Sequence, residues 1–583
     1  MAGDLVTALR EAGVGRGDLV GLAISPGRGL ATAPGGWCGA GPAAVGLADR
    51  ALRPRWAVWS AGTAAALVAA GVRLATCWDI AAAHRLLFGG WRADPGFAWA
   101  RLHGLAAGDV PAVGPPDLFG MDDGGDGEPV APDGHLRPEW AGGGWADSPV
   151  RAARWAELAR TAAALQRDAL AALAERPLAR EVGCSESAAE LLCAELSADG
   201  LPVDRAAAEG VLAGIIGPRP RSEAEAAALR AARDGQVLRH APPGVTADLR
   251  SPAQVRSLLA RIGIDVPDTR AWRLRELAGS HPLVAALLEW RKAERIATTY
   301  GYAWLDAHLG ADGRLRGAWT GCDGAAGRMT ASAGLHNMPA ALRRAVVAEA
   351  GHLFVRADLR QIEPRVLAAV SGDRALAAAA MADDMYAPVA GQLGLDRPTA
   401  KVAVIAAMYG QTTGHGAQAL RRMNAAYPVA MAYLHAADRA GRAGRDLRTY
   451  GGRLIALAPS GGESRGGSRA AAYGRYARNA MIQGAAAELF KMWAVTVRAR
   501  CAPLGARIVL CLHDELLVHV PAEHAEAASR LVTDCLREAA GRWAPGCGVR
   551  FAADIAVVRR WSDAKPAAGQ APAASGSGHD PAG

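Results

Sequence analysis

Lysine is almost absent from this chain of 583 residues, because only four of its 65 basic residues are lysines. Aromatic residues make up just 5% of the sequence. The nine cysteines lack the close pairing of metal-binding motifs, which argues against a zinc module and favours reduced thiols in the cytoplasm. No long uncharged apolar run occurs, and the chain starts with a polar segment, so neither a membrane segment nor a signal peptide is expected.

The length and charge of the chain indicate how many domains it can form and what kind of partner it can bind. A chain of this length can form three or four domains with substantial cores. Its net charge of +8 and isoelectric point near 9.2 favour a polyanionic partner. The bias towards Ala, Gly and Arg gives a repetitive appearance, yet no repeat of fixed period is found.

The tripeptide His513-Asp514-Glu515 lies between two apolar, β-rich runs, Arg507–Leu512 and Leu516–Val520. This pattern predicts a β-hairpin with two carboxylates at its tight turn. Such a turn is exposed and held by its strands, so the carboxylates can meet a metal ion or a phosphate without burying unpaired charge. An ordinary solvated acidic turn is the alternative.

A second acidic segment runs from Leu353 to Val370. A short apolar strand leads into Asp358, and a helix is predicted from about Ile362. Two aspartates from separate strands, Asp358 and Asp514, can hold two Mg²⁺ ions, for which Mn²⁺ could substitute, since Mg²⁺ prefers carboxylate oxygens and substrate phosphates. Such a pair of ions promotes in-line displacement at phosphorus. The alternative is that Asp358 only caps the following helix.

A third segment, Arg397–Gly410, carries Arg397, Lys401, Ile405 and Tyr409 at four-residue steps. One helical face therefore presents two cations, an apolar residue and an aromatic ring. Two cations can grip a triphosphate, and the ring offers a surface for a base. Because lysine is so rare here, its presence at position 401 suggests a role for an ammonium group, which releases a proton more readily than guanidinium does. A solvated basic helix face is the alternative.

Together these segments resemble the family A, bacterial polymerase I-like, DNA polymerases. Asp358–Arg365 resembles motif A of that family, Arg397–Gly410 motif B and His513–Glu515 motif C, in the family's order. Lesser matches are Gly327–Thr330, Leu335–Pro339, Asp384–Tyr386 and Arg475–Gly484. The resemblance covers roughly residues 180 to 562 and implies template-directed addition of deoxynucleotides to a primer 3′-hydroxyl.

The resemblance also implies a role for each matching residue. The implied catalytic residues are Asp358, Asp514, Glu515 and Lys401, with Asp358 and Asp514 as the metal ligands. The implied nucleotide-binding residues are Arg397, Lys401, Ile405, Tyr409, Glu363, Gln361 and Tyr386. The predicted contacts to DNA are Arg328, Asn337, Arg475, Asn479, Gln483, His513, Arg291 and Lys292. The expected partners are primer-template DNA and deoxynucleoside triphosphates, bound by a monomer at the nucleoid.

Four positions depart from the family pattern. Ile405 stands where a Phe or Tyr usually packs on the incoming sugar, and Ala406 follows where Gly is usual. Tyr386 replaces a usual His, and His336 a usual Gln. We therefore expect altered handling of the sugar and the triphosphate.

The amino-terminal part, residues 1–180, has an α/β pattern and by position resembles the family's ribonuclease H-like 3′–5′ exonuclease domain. Strands are predicted at 18–26 and 56–60, and helices at 61–70, 80–88 and 152–175. That nuclease needs an Asp-x-Glu on its first strand, which is missing here, and Trp155 and Ala159 stand where Tyr and Asp are expected. Without these metal ligands we expect an inactive scaffold, in which Asp79 caps a helix.

The predicted fold is therefore a multidomain α+β right-hand polymerase behind a degenerate exonuclease-like domain. A flexible insertion is expected at 110–148, a helical thumb at 181–312, and a palm with an antiparallel sheet at 313–562. Helical fingers are inserted at about 366–470, and residues 563–583 form a disordered tail. Within the thumb, helices are predicted at 185–197, 204–216, 252–262 and 282–307.

Two other function classes stay open on the sequence alone. A phage-type, single-subunit RNA polymerase shares this kind of palm, but Glu363 argues against it because a carboxylate there blocks a ribose hydroxyl. A DNA-binding homologue with impaired catalysis is the second, and the presence of Asp358, Lys401 and Asp514 argues against that.

Overall fold

The computed structural model describes residues 2–111, 127–410, 415–457 and 467–564. These residues form two compact units. The first comprises the described residues up to Asp199 together with Ala318–Ala331 and Gly351–Val557, and the second comprises Gly200–Gly317, Ser332–Ala350 and the described residues from Val558 onward. No described helix combines the length and apolar character needed to span a bilayer.

A five-stranded sheet forms the amino-terminal part of the first unit. Its strands are β1 Leu19–Ser25, β2 Gly29–Ala33, β3 Gly36–Cys38, β4 Arg55–Val58 and β5 Cys77–Asp79. The order in the sheet is β3-β2-β1-β4-β5, with β1 to β3 antiparallel and β4 and β5 joined in parallel. The predicted strands at 18–26 and 56–60 correspond to β1 and β4, which confirms the α/β pattern.

Helices cover this sheet. They are α1 Ala2–Glu11, α2 Ala43–Leu52, α3 Ala61–Ala69, α4 Ile80–Phe88, α5 Pro95–Leu102, α6 Pro138–Ala141, α7 Pro149–Ala171 and α8 Ala179–Asp199. Asp79 caps α4, as predicted, since its carboxylate accepts a hydrogen bond from the Ala82 amide at 2.9 Å. The expected flexible insertion at 110–148 is wrong for residues 127–148, where α6 buries Trp140 completely. The remainder, 112–126, lies outside the described residues.

The second unit is mostly helical. Its helices are α9 Arg205–Ile216, α10 Glu223–Leu238, α11 Pro252–Arg261, α12 Ala271–Glu276, α13 Pro282–Thr299 and α14 Tyr302–His308, with a short pair of strands, β6 Leu201–Pro202 and β7 Arg314–Leu315. A core that includes Leu259, Leu287 and Trp290 holds α11 and α13 together. The predicted single helix at 282–307 is wrong, because the chain leaves the helix before Gly301 and starts again at Tyr302. The first predicted thumb helix, at 185–197, is part of α8 and belongs to the first unit.

The rest of the first unit contains the second large sheet. Its helices are α15 Ile362–Ser371, α16 Arg374–Ala379, α17 Tyr386–Leu393, α18 Arg397–Tyr409, α19 His415–Ala426, α20 Pro428–Arg442, α21 Gly467–Cys501 and α22 Ala525–Trp543. Its strands are β8 Trp319–Asp323, β9 Arg328–Ala331, β10 His352–Leu359, β11 Leu447–Arg448, β12 Leu454–Ile455, β13 Arg507–Cys511, β14 Glu515–Pro521 and β15 Ala553–Val558. Strands β13, β14, β10 and β15 form the sheet in that order, and α22 packs against β10 and β14.

A buried ionic cluster joins α8 to α21. Glu186 of α8 is 2% exposed and pairs with Lys491 of α21 at 2.5 Å, and with Arg453. The Lys491 ammonium also donates to the Gly321 carbonyl of β8 at 3.0 Å. Buried charges of this kind are tolerated only when they are paired and hydrogen-bonded. The cluster therefore fixes α8 against α21 and β8.

Candidate active site

The two acidic segments meet on adjacent antiparallel strands. In the β10–β14 pairing Asp358 lies opposite Glu515, and the Leu359 amide donates to the Asp514 carbonyl at 2.8 Å. Asp514 stands in the turn between β13 and β14, as the predicted hairpin required. We call Asp358, Asp514 and Glu515 the carboxylate cluster. The Asp358 side chain is 22% exposed, whereas that of Glu515 is 6% exposed.

An arginine holds part of this cluster. Arg356 lies on β10 two residues before Asp358, so both side chains are on the same face of the strand. Its Nε donates to Glu515 Oε1 at 2.7 Å, and its Nη2 pairs with Asp358 Oδ2. Burial alone would lower the pKa of Arg356, but the bonds to Glu515 and Asp358 outweigh it and raise that pKa.

A second group forms around Glu363 on the first turn of α15. Its carboxylate accepts hydrogen bonds from Arg328 Nη2 of β9 at 2.9 Å and from the Tyr409 hydroxyl of α18 at 3.1 Å. Gln483 of α21 is also hydrogen-bonded to Tyr409. Burial and the Glu363 charge raise the pKa of Tyr409. We call Glu363, Arg328 and Tyr409 the Glu363 cluster, and it brings three separately predicted residues together.

Local sequence positions α18 for this contact. Asp396 caps the helix through the Thr399 amide at 2.9 Å, Pro398 lies in its first turn, and Gly410 ends it with a φ of 68°. The predicted face is present, since Arg397 and Lys401 are exposed and Ile405 and Tyr409 are half-buried. The helix therefore offers two cations at its start and the aromatic ring at its end.

Asp384 organises the start of α18 and the end of motif A. Its carboxylate accepts from Gln361 Nε2 at 2.6 Å and pairs with Arg397, while the Tyr386 amide donates to it at 3.2 Å. Burial would raise the pKa of Asp384, but the bonds from Arg397 and Gln361 lower it overall. Burial raises the pKa of Tyr386 to about 12, so this hydroxyl stays protonated. Gln361, Tyr386 and Arg397 are thus held in one group by a carboxylate.

Helix α21 presents three predicted DNA contacts at four-residue steps. Arg475 is exposed, and Asn479 and Gln483 are half-buried along the same face. Arg478 is turned the other way and its Nη2 donates to the Ala407 carbonyl, which fixes α21 to α18. His513, in the turn before Asp514, is exposed.

The remaining predicted DNA contacts lie in the second unit. Arg291 of α13 donates to the Thr269 carbonyl and, at 3.1 Å, to the Thr269 hydroxyl, so its guanidinium is engaged within the unit. Lys292 is 70% exposed and pairs with Glu289 at 2.6 Å, and Asn337 is also exposed. Lys292 is therefore better placed than Arg291 to meet a phosphate.

The sequence assigned no role to three residues around the site, Arg356, Asp384 and Arg365. Arg365 is completely buried and donates to the Ala382 and Asp383 carbonyls, each at 2.8 Å, which anchors the loop before α17 to α15. A charged residue within the apolar run of β10 was the available signal for Arg356.

The arrangement of motifs on this sheet agrees with the comparison of the sequence with protein families. The family described as DNA polymerase family A matches residues 236–563, more than half of the chain. The chain belongs to DNA polymerase family A.

Individual relatives support the same placement. DNA polymerase I of Chloroflexus aurantiacus is 33% identical over 293 residues, covering 45% of this chain and 31% of that protein. The thermostable DNA polymerase I of Thermus filiformis is 30% identical over 320 residues, covering 50% of this chain and 38% of that protein. This family A chain thus spans about a third of the length of these relatives.

A solved structure shows the same fold over nearly the whole family A chain. The POL domain of Pol1 from M. smegmatis, in complex with DNA primer-template and dNTP, superposes with a TM-score of 0.68 at 21% identity. The match covers 96% of this chain and 98% of that domain. The predicted α+β multidomain polymerase fold is confirmed.

Family A DNA polymerases generally use divalent metal ions, and the donor set here can be compared with that requirement. Asp358 and Asp514 offer carboxylate oxygens at the ends of adjacent strands, and neither side chain is fully buried. Carboxylate oxygens with access to solvent suit Mg²⁺ or Mn²⁺, which keep several waters. The residues fit a divalent ion, although Asp358 then shares its charge with Arg356.

Helix α7 carries aromatic and small side chains at the positions where nuclease ligands were expected. Trp155 of α7 is 3% exposed and stacks on Trp59, with ring centroids 4.6 Å apart, and on Trp145, 5.8 Å away. Ala159 is completely buried one turn further along α7. An aromatic stack therefore fills the surroundings of the two positions where Tyr and Asp were expected.

Proposed function

We propose that the protein is a DNA-directed DNA polymerase that adds deoxynucleotides to a primer 3′-hydroxyl. The observation that carries this proposal is the pairing of β10 with β14, which aligns Asp358 with the Asp514-Glu515 turn. The Glu363 cluster lies at the start of α15, directly after β10 in the chain. One proposed metal-binding carboxylate, Asp358, and the proposed sugar-recognition carboxylate, Glu363, thus come from one continuous segment.

In the proposed reaction the primer 3′-oxygen attacks the α-phosphate of the incoming triphosphate, and pyrophosphate leaves. Asp358 and Asp514 would hold two Mg²⁺ ions, which supply Lewis-acid activation of the attacking oxygen and charge neutralisation at the phosphates. Glu515 supports Asp358 through their shared partner Arg356. The assignment of these ligands follows from carboxylate chemistry and strand register.

The exposed start of α18 is the proposed triphosphate site. Arg397 and Lys401 are both exposed and one turn apart, so they can neutralise neighbouring phosphates. The Lys401 ammonium is the proposed proton donor to the leaving pyrophosphate. Ile405 and Tyr409 continue the same face towards the sugar and the nascent base pair, and Gln361 and Tyr386 hold Arg397 through Asp384.

Glu363 supports a DNA polymerase over a single-subunit RNA polymerase-like enzyme. Two hydrogen bonds fix its carboxylate, and 18% of its side chain stays exposed. A fixed carboxylate beside the 2′ position would exclude a ribose hydroxyl. The complete carboxylate cluster and an exposed Lys401 likewise disfavour a catalytically impaired DNA-binding homologue.

The domain assignments belong to the same proposal. Residues 1–180 would be an exonuclease-like scaffold without proofreading, and the second unit would supply the thumb. The palm would carry β10 and β13 to β15, and the fingers would carry α16 to α20. Arg328, Asn337, Arg475, Asn479, Gln483, His513 and Lys292 would contact primer-template, with Arg291 in a supporting position. A monomer working in the cytoplasm at the nucleoid would agree with free cysteines and a net charge of +8.

Primer extension by the full chain and by Asp514→Asn tests the proposal. The variant should lose several orders of magnitude in extension rate, because a neutral amide replaces a charged metal ligand, while primer-template affinity stays within a factor of about two since it depends on dispersed phosphate contacts. Asp554→Asn is the matched control, as Asp554 pairs with Arg360 outside the carboxylate cluster.

Parallel reactions with deoxy- and ribonucleotides separate the alternatives. Incorporation of ribonucleotides as efficient as that of deoxynucleotides would favour the RNA polymerase-like enzyme. No extension by the parent chain, with DNA still bound, would favour the impaired homologue. Near-normal extension by Asp514→Asn would overturn the site assignment.

A further inference from the structure

Arg356 is a buried cation inside a cluster that should attract divalent cations. Arg356 is 3% exposed. Its partners, Asp358 and Glu515, lie on two different strands and are 157 residues apart in the sequence. Both bonds are charge-assisted, which is the stronger class of hydrogen bond. The guanidinium therefore neutralises carboxylates that would otherwise repel one another.

The pairing also restricts how the carboxylates can move. Glu515 is 4% exposed and lies opposite Asp358 on the neighbouring strand, and the bond from Arg356 helps to compensate its buried charge. Arg360, two residues beyond Asp358 on the chain, has a different role, because it pairs with Asp554 at 2.5 Å and remains 37% exposed. The two arginines flank Asp358 in sequence, but only Arg356 bonds to the carboxylate cluster.

We propose that Arg356 is a built-in counter-ion that competes with divalent metal ions for Asp358 and Glu515. Its biological meaning rests on the proposed function, since the metal ions concerned are those of the polymerase reaction. Arg356 is a positioning residue, because it acts on the carboxylates and not on the reacting atoms. It keeps them in place before metal arrives and makes binding of metal alone weak.

The effect on metal affinity follows from charge. Removing the positive charge of Arg356 beside carboxylates that would hold a divalent ion should tighten binding by about tenfold even with the screening of water, and burial makes that figure a lower bound. The incoming triphosphate brings negative charge of its own, which offsets Arg356. Metal would then bind firmly only together with the nucleotide.

Direct binding of Mn²⁺ to the full chain, followed by electron paramagnetic resonance without DNA or nucleotide, tests the proposal. Arg356→Gln removes the charge and keeps hydrogen-bond donors, so Mn²⁺ should bind about tenfold more tightly. Arg356→Lys keeps the charge and should bind within about twofold of the parent chain. Arg360→Gln is the matched control and should leave binding unchanged, while Asp358→Asn should weaken it and so locates the ion.

An unchanged or weaker Mn²⁺ affinity in folded Arg356→Gln would overturn the proposal. If Arg356→Gln does not fold, Arg356→Lys decides, because a tenfold change there would show that geometry and not charge matters. Primer extension by the parent chain, measured in the same preparation, distinguishes a failure of the counter-ion proposal from a failure of the proposed function. Extension together with an unchanged Arg356→Gln affinity would refute only the counter-ion, whereas tightened Mn²⁺ binding without extension would refute only the proposed function.

Discussion

Removing the Tyr409 hydroxyl is expected to weaken the exclusion of ribonucleotides. Glu363 accepts one hydrogen bond from Tyr409 at 3.1 Å and one from Arg328 at 2.9 Å. A hydrogen bond to an ionised group contributes about 1.5–3 kcal/mol, and the lower value suits a carboxylate that keeps solvent access and its second partner. About 1.4 kcal/mol corresponds to a factor of ten. Tyr409→Phe should therefore raise the relative efficiency of ribonucleotide insertion by about tenfold.

Single-nucleotide insertion kinetics with matched deoxy- and ribonucleotides measures this effect as a ratio of kcat/KM values. Glu363→Ala removes the carboxylate itself and should relax the ratio further than Tyr409→Phe does. Tyr476→Phe is the control, because Tyr476 is exposed on α21. An unchanged ratio in Glu363→Ala would refute the reasoning, since no fixed carboxylate would then face the sugar.

Three further results are expected. Ile405→Phe should improve deoxynucleotide insertion about fivefold, because an aromatic contact contributes roughly 1 kcal/mol, and unchanged kcat/KM for deoxy-, dideoxy- and ribonucleotides would show that residue 405 does not line the sugar pocket. The full chain should not shorten a mismatched single-stranded 3′ end in Mg²⁺ or Mn²⁺; degradation that persists in Asp358→Asn and is abolished by replacing acids within residues 1–180 would contradict this. Asp79→Asn should raise the thermal unfolding midpoint more at pH 8 than at pH 5. Burial and the Glu190 charge raise the pKa of Asp79 from 3.8 to about 7. The folded state therefore binds this proton more tightly than the unfolded state does, and the free energy of unfolding falls as pH rises between these two values. Equal shifts of the unfolding midpoint at both pH values would contradict the raised pKa of Asp79.

The parts of the site that were predictable depend on short-range patterns. Apolar runs that end in Asp358 and surround Asp514 fix two strand ends, and the four-residue spacing of α18 fixes one helical face. These patterns need no knowledge of distant contacts. The pairing of β10 with β14 then follows from the fold that the motifs indicate.

The parts that were missed depend on partners far away in the chain. In the sequence, Arg356 is only a charged residue within an apolar strand. Its role becomes visible when the pairing of β10 with β14 brings Glu515 next to it. Two of the three partners of Asp384 are distant in the chain, Gln361 by 23 residues and Arg397 by 13. Only long-range geometry gives such residues their roles, so a sequence pattern does not reveal them.

Composition gave a wrong expectation for one region. The Gly, Pro and Asp content of residues 110–148 predicted flexibility, yet Trp140 is fully buried and Trp145 stacks on Trp155, so a few large side chains order residues 127–148. Scarcity of lysine pointed to Lys401, whose role stays a prediction, whereas Lys491, another of the four lysines, lies in a buried ion pair.

The ionic cluster of Glu186, Arg453 and Lys491 limits how this protein can be divided. Helix α8 packs against α3, α4 and β5 and also against β8 and α21. A cut after α8 would leave two buried cations without their shared carboxylate, and a cut before it would expose Leu191, which packs in the core of the amino-terminal sheet. The part of the protein that carries the carboxylates is therefore structurally dependent on the amino-terminal sheet. A domain in that position can be retained by selection for its structural role alone, even when it has no catalytic activity of its own.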